Sequence, residues 1–298
     1  MRKGQRFTPK RLQKWIDQGR GTGSGEHYQP WHQVTRSDPG SRGRSHIVNS
    51  GLARLHHFLS DLELVQFTFA TMLPGVVDLQ EQFSLSLEDG ADAGCMRQVL
   101  PFQPGTQTIA RELGFIHPAL RKDDEVQPWI MTTDLLLTFD AGSADRRLAV
   151  SVKPKGGFGR RRQQELLAIE REYWLRRGVP WLLVTPDQYD VAVGRAICSG
   201  AAWVLGMPSV DQRLIEACAA HVAGRRRATF GQLMAELPTV IGADMTHAQC
   251  TFWQAVWRGL LPIDLAFSTR PSATVQLLDL AAYWDQNPIA ARRTAWTA

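Results

Sequence analysis

The sequence predicts an α/β protein in two parts, a core in the order helix, three strands, helix, strand, followed by a mostly helical region. Three observations carry this. Runs of strand character recur at 76–87, 129–139 and 147–154, the last with Leu148, Val150 and Val152 alternating strictly with Ala149, Ser151 and Lys153. Stretches of helical character bracket them at 51–73 and 159–177. Beyond Pro186 the strand pattern ends, and a chain of 298 residues is long for one small core.

The elements follow in order. Residues 1–20 fit a short basic helix, and Arg20–Gly25 reads as a hinge whose glycines follow no strand, so it is no phosphate-binding loop. The segment 1–27 is therefore expected to be a flexible basic arm. Residues 28–34 are extended, and a polar loop then carries Ser41, Arg42, Gly43 and Arg44. Arginines and small hydroxyls on a glycine loop suit phosphate oxygens, which makes Ser41, Arg42 and Arg44 candidate DNA contacts. Over 51–73 the residues Leu52, Leu55, Phe58, Leu59, Leu62, Val65, Phe69, Met72 and Leu73 share one stripe. Ser60 and Glu63 have capping-box spacing, but the stripe runs through them, so one continuous helix is expected, with Glu63 at the border of its buried face.

Pro74-Gly75 stops that helix. A strand over 76–87 and a loop over 88–107 come next, then an irregular stretch holding His117-Pro118 and the acids Asp123, Asp124 and Glu125. Adjacent acids diverge, so these read as a solvated turn. The turn 140–145 is short enough to return strand 129–139 antiparallel as strand 147–154. Gly178 ends the helix 159–177, and 179–185 is a buried strand. Helices are expected at Val210–Val222, from Thr229 and from Thr246, then a short β segment at Ile263–Leu265 and a polar, mobile tail from Gln286. This order is compatible with a winged-helix module, and the chain is expected to divide into the arm 1–27, a mixed α/β domain 28–186 and a C-terminal domain 187–298.

Charge is unevenly placed. Residues 1–48 hold ten Lys/Arg against Asp17, Glu26 and Asp38, a net of +7, so the rest sums to −2 of the chain's total of +5. A basic segment on a near-neutral body suits a polyanion such as DNA. No apolar run reaches the roughly 18–20 residues a membrane helix needs. The basic Met1–Arg6 has no apolar stretch behind it, so no secretory signal is expected. Cys95, Cys198, Cys218 and Cys250 show no paired spacing, which favours a reducing, cytoplasmic setting.

One acid stands out. Asp134 lies amid Ile130, Met131, Leu135 and Leu136, where a carboxylate must be hydrogen-bonded, protonated or bound to a cation. The hairpin brings Lys153 to the same end of the sheet, and the preceding helix can carry Glu63 there. Glu63 and Asp134, with the carbonyl of Val152, offer the oxygen donors that Mg²⁺ prefers, and Mn²⁺ can substitute. Lys153, with Ser151 beside it, would orient or deprotonate the attacking water, or neutralise charge on a phosphoryl group. A zinc site from Cys218, His221, His247 and Cys250 is the weaker alternative. Neither a G-x-S-x-G elbow nor a Walker-type loop occurs.

An ordered series of segments resembles a known family: Tyr28–Trp31, Ser41–Arg44, Leu59–Glu63, Gln80–Leu85, Met131–Asp134, Val152-Lys153 and Ile169–Trp174. Over roughly 28–186 the chain resembles the TnsA endonuclease subunits of heteromeric bacterial transposases, which also serve CRISPR-associated transposons. The resemblance implies a restriction-endonuclease-like αβββαβ core with Glu63 and Asp134 as metal-binding acids and Lys153 as catalytic lysine. It implies cleavage at transposon 5′ ends on double-stranded DNA, alongside a DDE-type transposase, TnsB, and an AAA+ ATPase, TnsC. The family pattern expects Gln two residues before the lysine, where this chain has Ser151. Two other readings compete: a DNA-bridging subunit weakened by Ser151, and a stand-alone restriction or repair nuclease.

Overall fold

The computed structural model describes residues 7–36, 43–51, 54–90, 102–122, 124–140, 142, 146–267 and 269–297. The chain forms two compact units, residues 1–64 with 75–184 and residues 65–74 with 185–297. The first is mixed α/β and the second mostly helical. Among the described residues no helix is long and apolar enough to cross a membrane.

The chain opens with helix α1, Pro9–Asp17, capped by the Thr8 hydroxyl, which accepts from the Arg11 N–H, with Pro9 in the first turn where its missing donor costs nothing. Leu12 and Trp15 are 2% exposed and cluster with Trp31, against which Leu120, Trp129 and Ile130 pack. The expected flexible arm thus contains a helix with core side chains. The expected hinge is tied down too. The Gly21 N–H donates to the Gln29 carbonyl (2.7 Å) and the Ser84 hydroxyl donates back to the Gly21 carbonyl (3.1 Å). Gly21 sits at φ +77° with Ser84 packed where a Cβ would go, so no other residue fits there.

Strands β1, His46–Asn49, and β2, Leu55–Phe58, form an antiparallel hairpin, followed by helix α2, Asp61–Thr71. This corrects the single helix expected over 51–73. Leu55 and Phe58 fall on a helical stripe by coincidence; in the strand Phe58 is fully buried and Leu55 is exposed. Glu81 on strand β3, Val76–Ser84, holds the hairpin in place. Arg54 grips both its carboxylate oxygens (2.9 and 2.8 Å), His56 Nδ1 lies 2.9 Å from Oε2, and the His57 N–H donates at 3.0 Å. Burial pushes the Glu81 carboxyl up, but these partners outweigh it and draw it down to about 2.

Helix α3, Thr106–Glu112, starts inside the expected loop, and strands β4, Ala119–Lys122, and β5, Glu125–Pro128, pair where irregular chain was expected. Asp124 belongs to the turn between them. Strands β6, Thr132–Phe139, and β7, Arg147–Val152, helix α4, Arg161–Arg176, and strand β8, Trp181–Val184, complete the unit. The sheet order is β3-β6-β7-β8, antiparallel except for the parallel β7–β8 pair. The expected β6–β7 hairpin is present, and α2, β3, β6, β7, α4, β8 run in the expected order. Leu148, Ala149 and Val150 are fully buried because β7 has a strand on each side and its apolar run packs inward on both faces.

In the second unit α5, Val191–Gly200, precedes α6, Gln212–Gly224, α7, Phe230–Ile241, α8, Met245–Trp257, and α9, Leu280–Asp285. Helix α7 begins with the expected capping box of Thr229 and Gln232. Helix α8 is capped by Asp244 instead of Thr246, because the Asp244 carboxylate accepts the His247 N–H at 2.8 Å. Every residue of α8 from Cys250 to Trp257 is buried. Single bridges join Thr229 to Thr274 and Ile263 to Leu277. The start of the tail, residues 287–289, is packed, contrary to expectation. Asn287 is 2% and Ile289 0% exposed, and the Asn287 amide donates to the Phe69 carbonyl at 2.9 Å.

Candidate functional site

The site grows from the β6–β7 hairpin, where Leu135 pairs with Val150. Asp134, one step along β6, therefore reaches the end of β7. Its Oδ2 accepts from the Val152 N–H at 2.6 Å and from Lys153 Nζ at 2.8 Å. Lys153 Nζ also donates to the Val152 carbonyl at 2.9 Å. The carboxylate that looked costly in an apolar strand is thus satisfied by a backbone donor and a cation. The two side chains are 13% and 31% exposed, so the pair has one open side. Burial works against the ammonium, but Asp134, Glu170 and Glu63 overcome it and hold Lys153 protonated above its ordinary range.

Glu63 arrives from α2, and its backbone explains why. The Ser60 hydroxyl accepts the Glu63 N–H (3.2 Å), while the Glu63 carboxylate accepts from the Leu59 N–H (2.9 Å) and the Ser60 hydroxyl (3.0 Å). The Ser60/Glu63 spacing set aside above is a working N-terminal cap. Gln82 donates a third hydrogen bond to Glu63, from Nε2 to Oε2 at 3.1 Å. Burial, and then the charge of Asp134, push the Glu63 carboxyl up to about 7, against the pull of those donors and of Lys153.

Ser151 points elsewhere. It is fully buried, and its hydroxyl donates to Glu170 Oε1 on α4. The same oxygen accepts from Thr133 at 2.7 Å and from the Trp181 indole at 3.3 Å. Burial raises the Glu170 carboxyl, partly offset by Lys153. Glu170 was not singled out in the sequence, although a signal was there. It falls in the series Leu167, Glu170, Tyr173, Trp174 on the buried face of α4, where an acid is out of place. Gln82 carried no such signal, since its backbone conformation cannot be read from residue types.

The expected phosphate clamp is less direct. Ser41 and Arg42 lie outside the described residues. Arg44 is exposed and pairs with Asp61 at the start of α2 (3.3 Å), which His46 also contacts at 2.6 Å. The zinc alternative does not assemble: His221 pairs with Glu236 at 2.9 Å, and Cys218 and Cys250 are free thiols. Among the described residues no three His, Cys, Asp or Glu side chains converge as a metal-holding group.

Residues 74–186 match the family described as TnsA-like endonuclease N terminal. That span includes Gln82, Asp134, Ser151, Lys153 and Glu170 and stops short of Glu63. The chain is also 34% identical over 188 residues to the Transposon Tn7 transposition protein TnsA of Escherichia coli, across 63% of this chain and 60% of that protein. It thus spans less than two thirds of that relative's length. The family match thus falls on the sheet at residues 74–186, and the similarity to that TnsA protein extends beyond it.

Proposed function

We propose that the chain is the DNA-cleaving subunit of a heteromeric transposase, hydrolysing phosphodiester bonds at the 5′ ends of the transposon with Mg²⁺. The observation that carries this is the Asp134–Lys153–Val152 cluster at the open end of β7, with Glu63 within its electrostatic reach. In this reading the α2-β3-β6-β7-α4-β8 core is restriction-endonuclease-like.

The donors fit a hard cation. Two carboxylates and a carbonyl are all oxygen, and fewer than a full protein cage leaves positions for water and phosphate, as Mg²⁺ prefers. Glu63, Asp134 and the Val152 carbonyl would hold it, and it would supply Lewis-acid stabilisation and an activated water. Lys153 acts as a fixed ammonium. Held protonated against Asp134, it serves to neutralise charge on the phosphoryl oxygens and is poorly placed to remove a proton. Glu170 keeps Ser151 and Thr133 locked beneath the cluster and adds negative potential that holds the lysine charged. Arg44, Ser41 and Arg42 would grip the DNA backbone.

Helices α6, α7 and α8 with the two bridges have the order of a winged helix. Because α8 is buried from Cys250 to Trp257, it cannot lie in a DNA groove as a reading helix, which favours protein partners for this unit. Those partners would be the TnsB-type transposase and the TnsC-type ATPase. The bridging-subunit reading draws on Ser151 in place of Gln and on the small number of converging acids.

The test is an excision assay with partner transposase, ATPase and transposon-end DNA, run with Mg²⁺ and with EDTA. Asp134→Asn and Lys153→Met should each lower 5′-strand release by at least about 100-fold while complexes still assemble. Full double-strand excision by Asp134→Asn would reject the proposal; cointegrate formation by the wild type would favour the bridging reading.

A further inference from the structure

Gln82 is built into the carboxylate cluster by a backbone distortion. Its φ is +50°, and it is one of only two non-glycine residues with positive φ among the described residues, the other being Arg292. Such a conformation is strained for a residue with a Cβ, and it persists only where the surroundings enforce it. The surroundings do so here. The β3–β6 ladder pairs Glu81 with Leu135 and Phe83 with Thr133, so Gln82 is passed over at the level of Asp134. The Trp31 N–H donates to the Gln82 carbonyl at 3.2 Å and pins the kink from the other side.

The distortion has one visible result, which is where it sends the side chain. Gln82 is 3% exposed, and its amide reaches Glu63 Oε2 at 3.1 Å, the same oxygen that accepts the Leu59 N–H. Glycine would adopt φ +50° more cheaply, and asparagine tolerates it better. Neither has the reach. Glutamine at this position keeps an amide on Glu63 at the expense of a strained backbone.

We propose that Gln82 is a positioning residue: it fixes the Glu63 carboxylate toward Asp134, setting the geometry in which the two acids take a divalent cation. This rests on the reading of Glu63 and Asp134 as metal-binding acids. Such outer partners of ligating carboxylates contribute roughly 10–100-fold to metal affinity or activity.

The experiment measures Mn²⁺ binding to the full chain by titration calorimetry, with thermal unfolding and the excision assay alongside, for wild type, Gln82→Gly, Gln82→Asn and Glu63→Gln. Gln82→Gly should unfold at the wild-type temperature or above, because strain is relieved, yet bind Mn²⁺ about 10-fold more weakly or worse and cut correspondingly more slowly. Gln82→Asn, which suits the kink but falls short of Glu63, should behave the same way. Wild-type Mn²⁺ affinity and cutting in both Gln82 variants, with Glu63→Gln losing both, would overturn the role of Gln82 and leave the site intact. Wild-type affinity and cutting in Glu63→Gln would overturn the site and the role of Gln82 with it.

Discussion

At the scale of single residues, the buried charges divide into two kinds. Glu81 is fully buried and saturated by Arg54, His56 and a backbone N–H, with no open side. Asp134 and Lys153 are paired but open. The first arrangement is a stability device with a pH signature. The Glu81 pKa is depressed from 4.5 to about 2, so its contribution is fully present above about 4.5 and is lost as pH falls toward 2. The shift corresponds to about 3 kcal/mol. Urea unfolding of wild type and Glu81→Gln across pH 6 to 2 should show a stability difference that shrinks by about that much; a pH-independent difference would refute the assignment. Asp134 was legible in the sequence because an acid in an apolar strand breaks the pattern. Glu81 was not, because it sits among Gln80 and Gln82, where a carboxylate looks solvated.

At the scale of elements, legibility followed length and burial. Strands β6, β7 and β8 and helix α4 were placed within a few residues, since their apolar runs leave one packing solution. Hairpins β1–β2 and β4–β5 were missed. Each strand is only four residues long, and β1, β4 and β5 bury no residue fully, so no hydrophobic period marks them. Helix α2 was misjudged at its start for the opposite reason: a false continuation of the stripe outweighed a real cap. Helix α1 was read as helical but given no core role, and that can be tested. Trp15→Ala should cost about 3–5 kcal/mol in unfolding free energy, the range for emptying an aromatic core site, whereas a free arm would lose nothing. Deleting 1–27 would therefore remove core along with charge, and its effect on DNA affinity would not isolate the basic residues.

At the scale of the molecule, the split into a mixed α/β part and a helical part was legible near residue 185, where composition changes. The assignment of 65–74 to the helical part was not, because it depends on tertiary contacts. Helix α2 begins in one unit and ends in the other. Within the second, Trp257 donates its indole N–H to the Thr71 hydroxyl at 3.1 Å and Asn287 donates to the Phe69 carbonyl. A fragment of residues 185–298 should accordingly lack cooperative thermal unfolding and bind a hydrophobic dye, and a cooperative transition would contradict this. The same ten-residue loan limits how such chains recombine. A chimera joined at residue 185 leaves part of the second unit's core behind with the wrong parent, so the heritable module is two separated stretches of gene. Exchange of the helical unit between relatives must carry 65–74 with it or be followed by repair at Phe69 and Thr71.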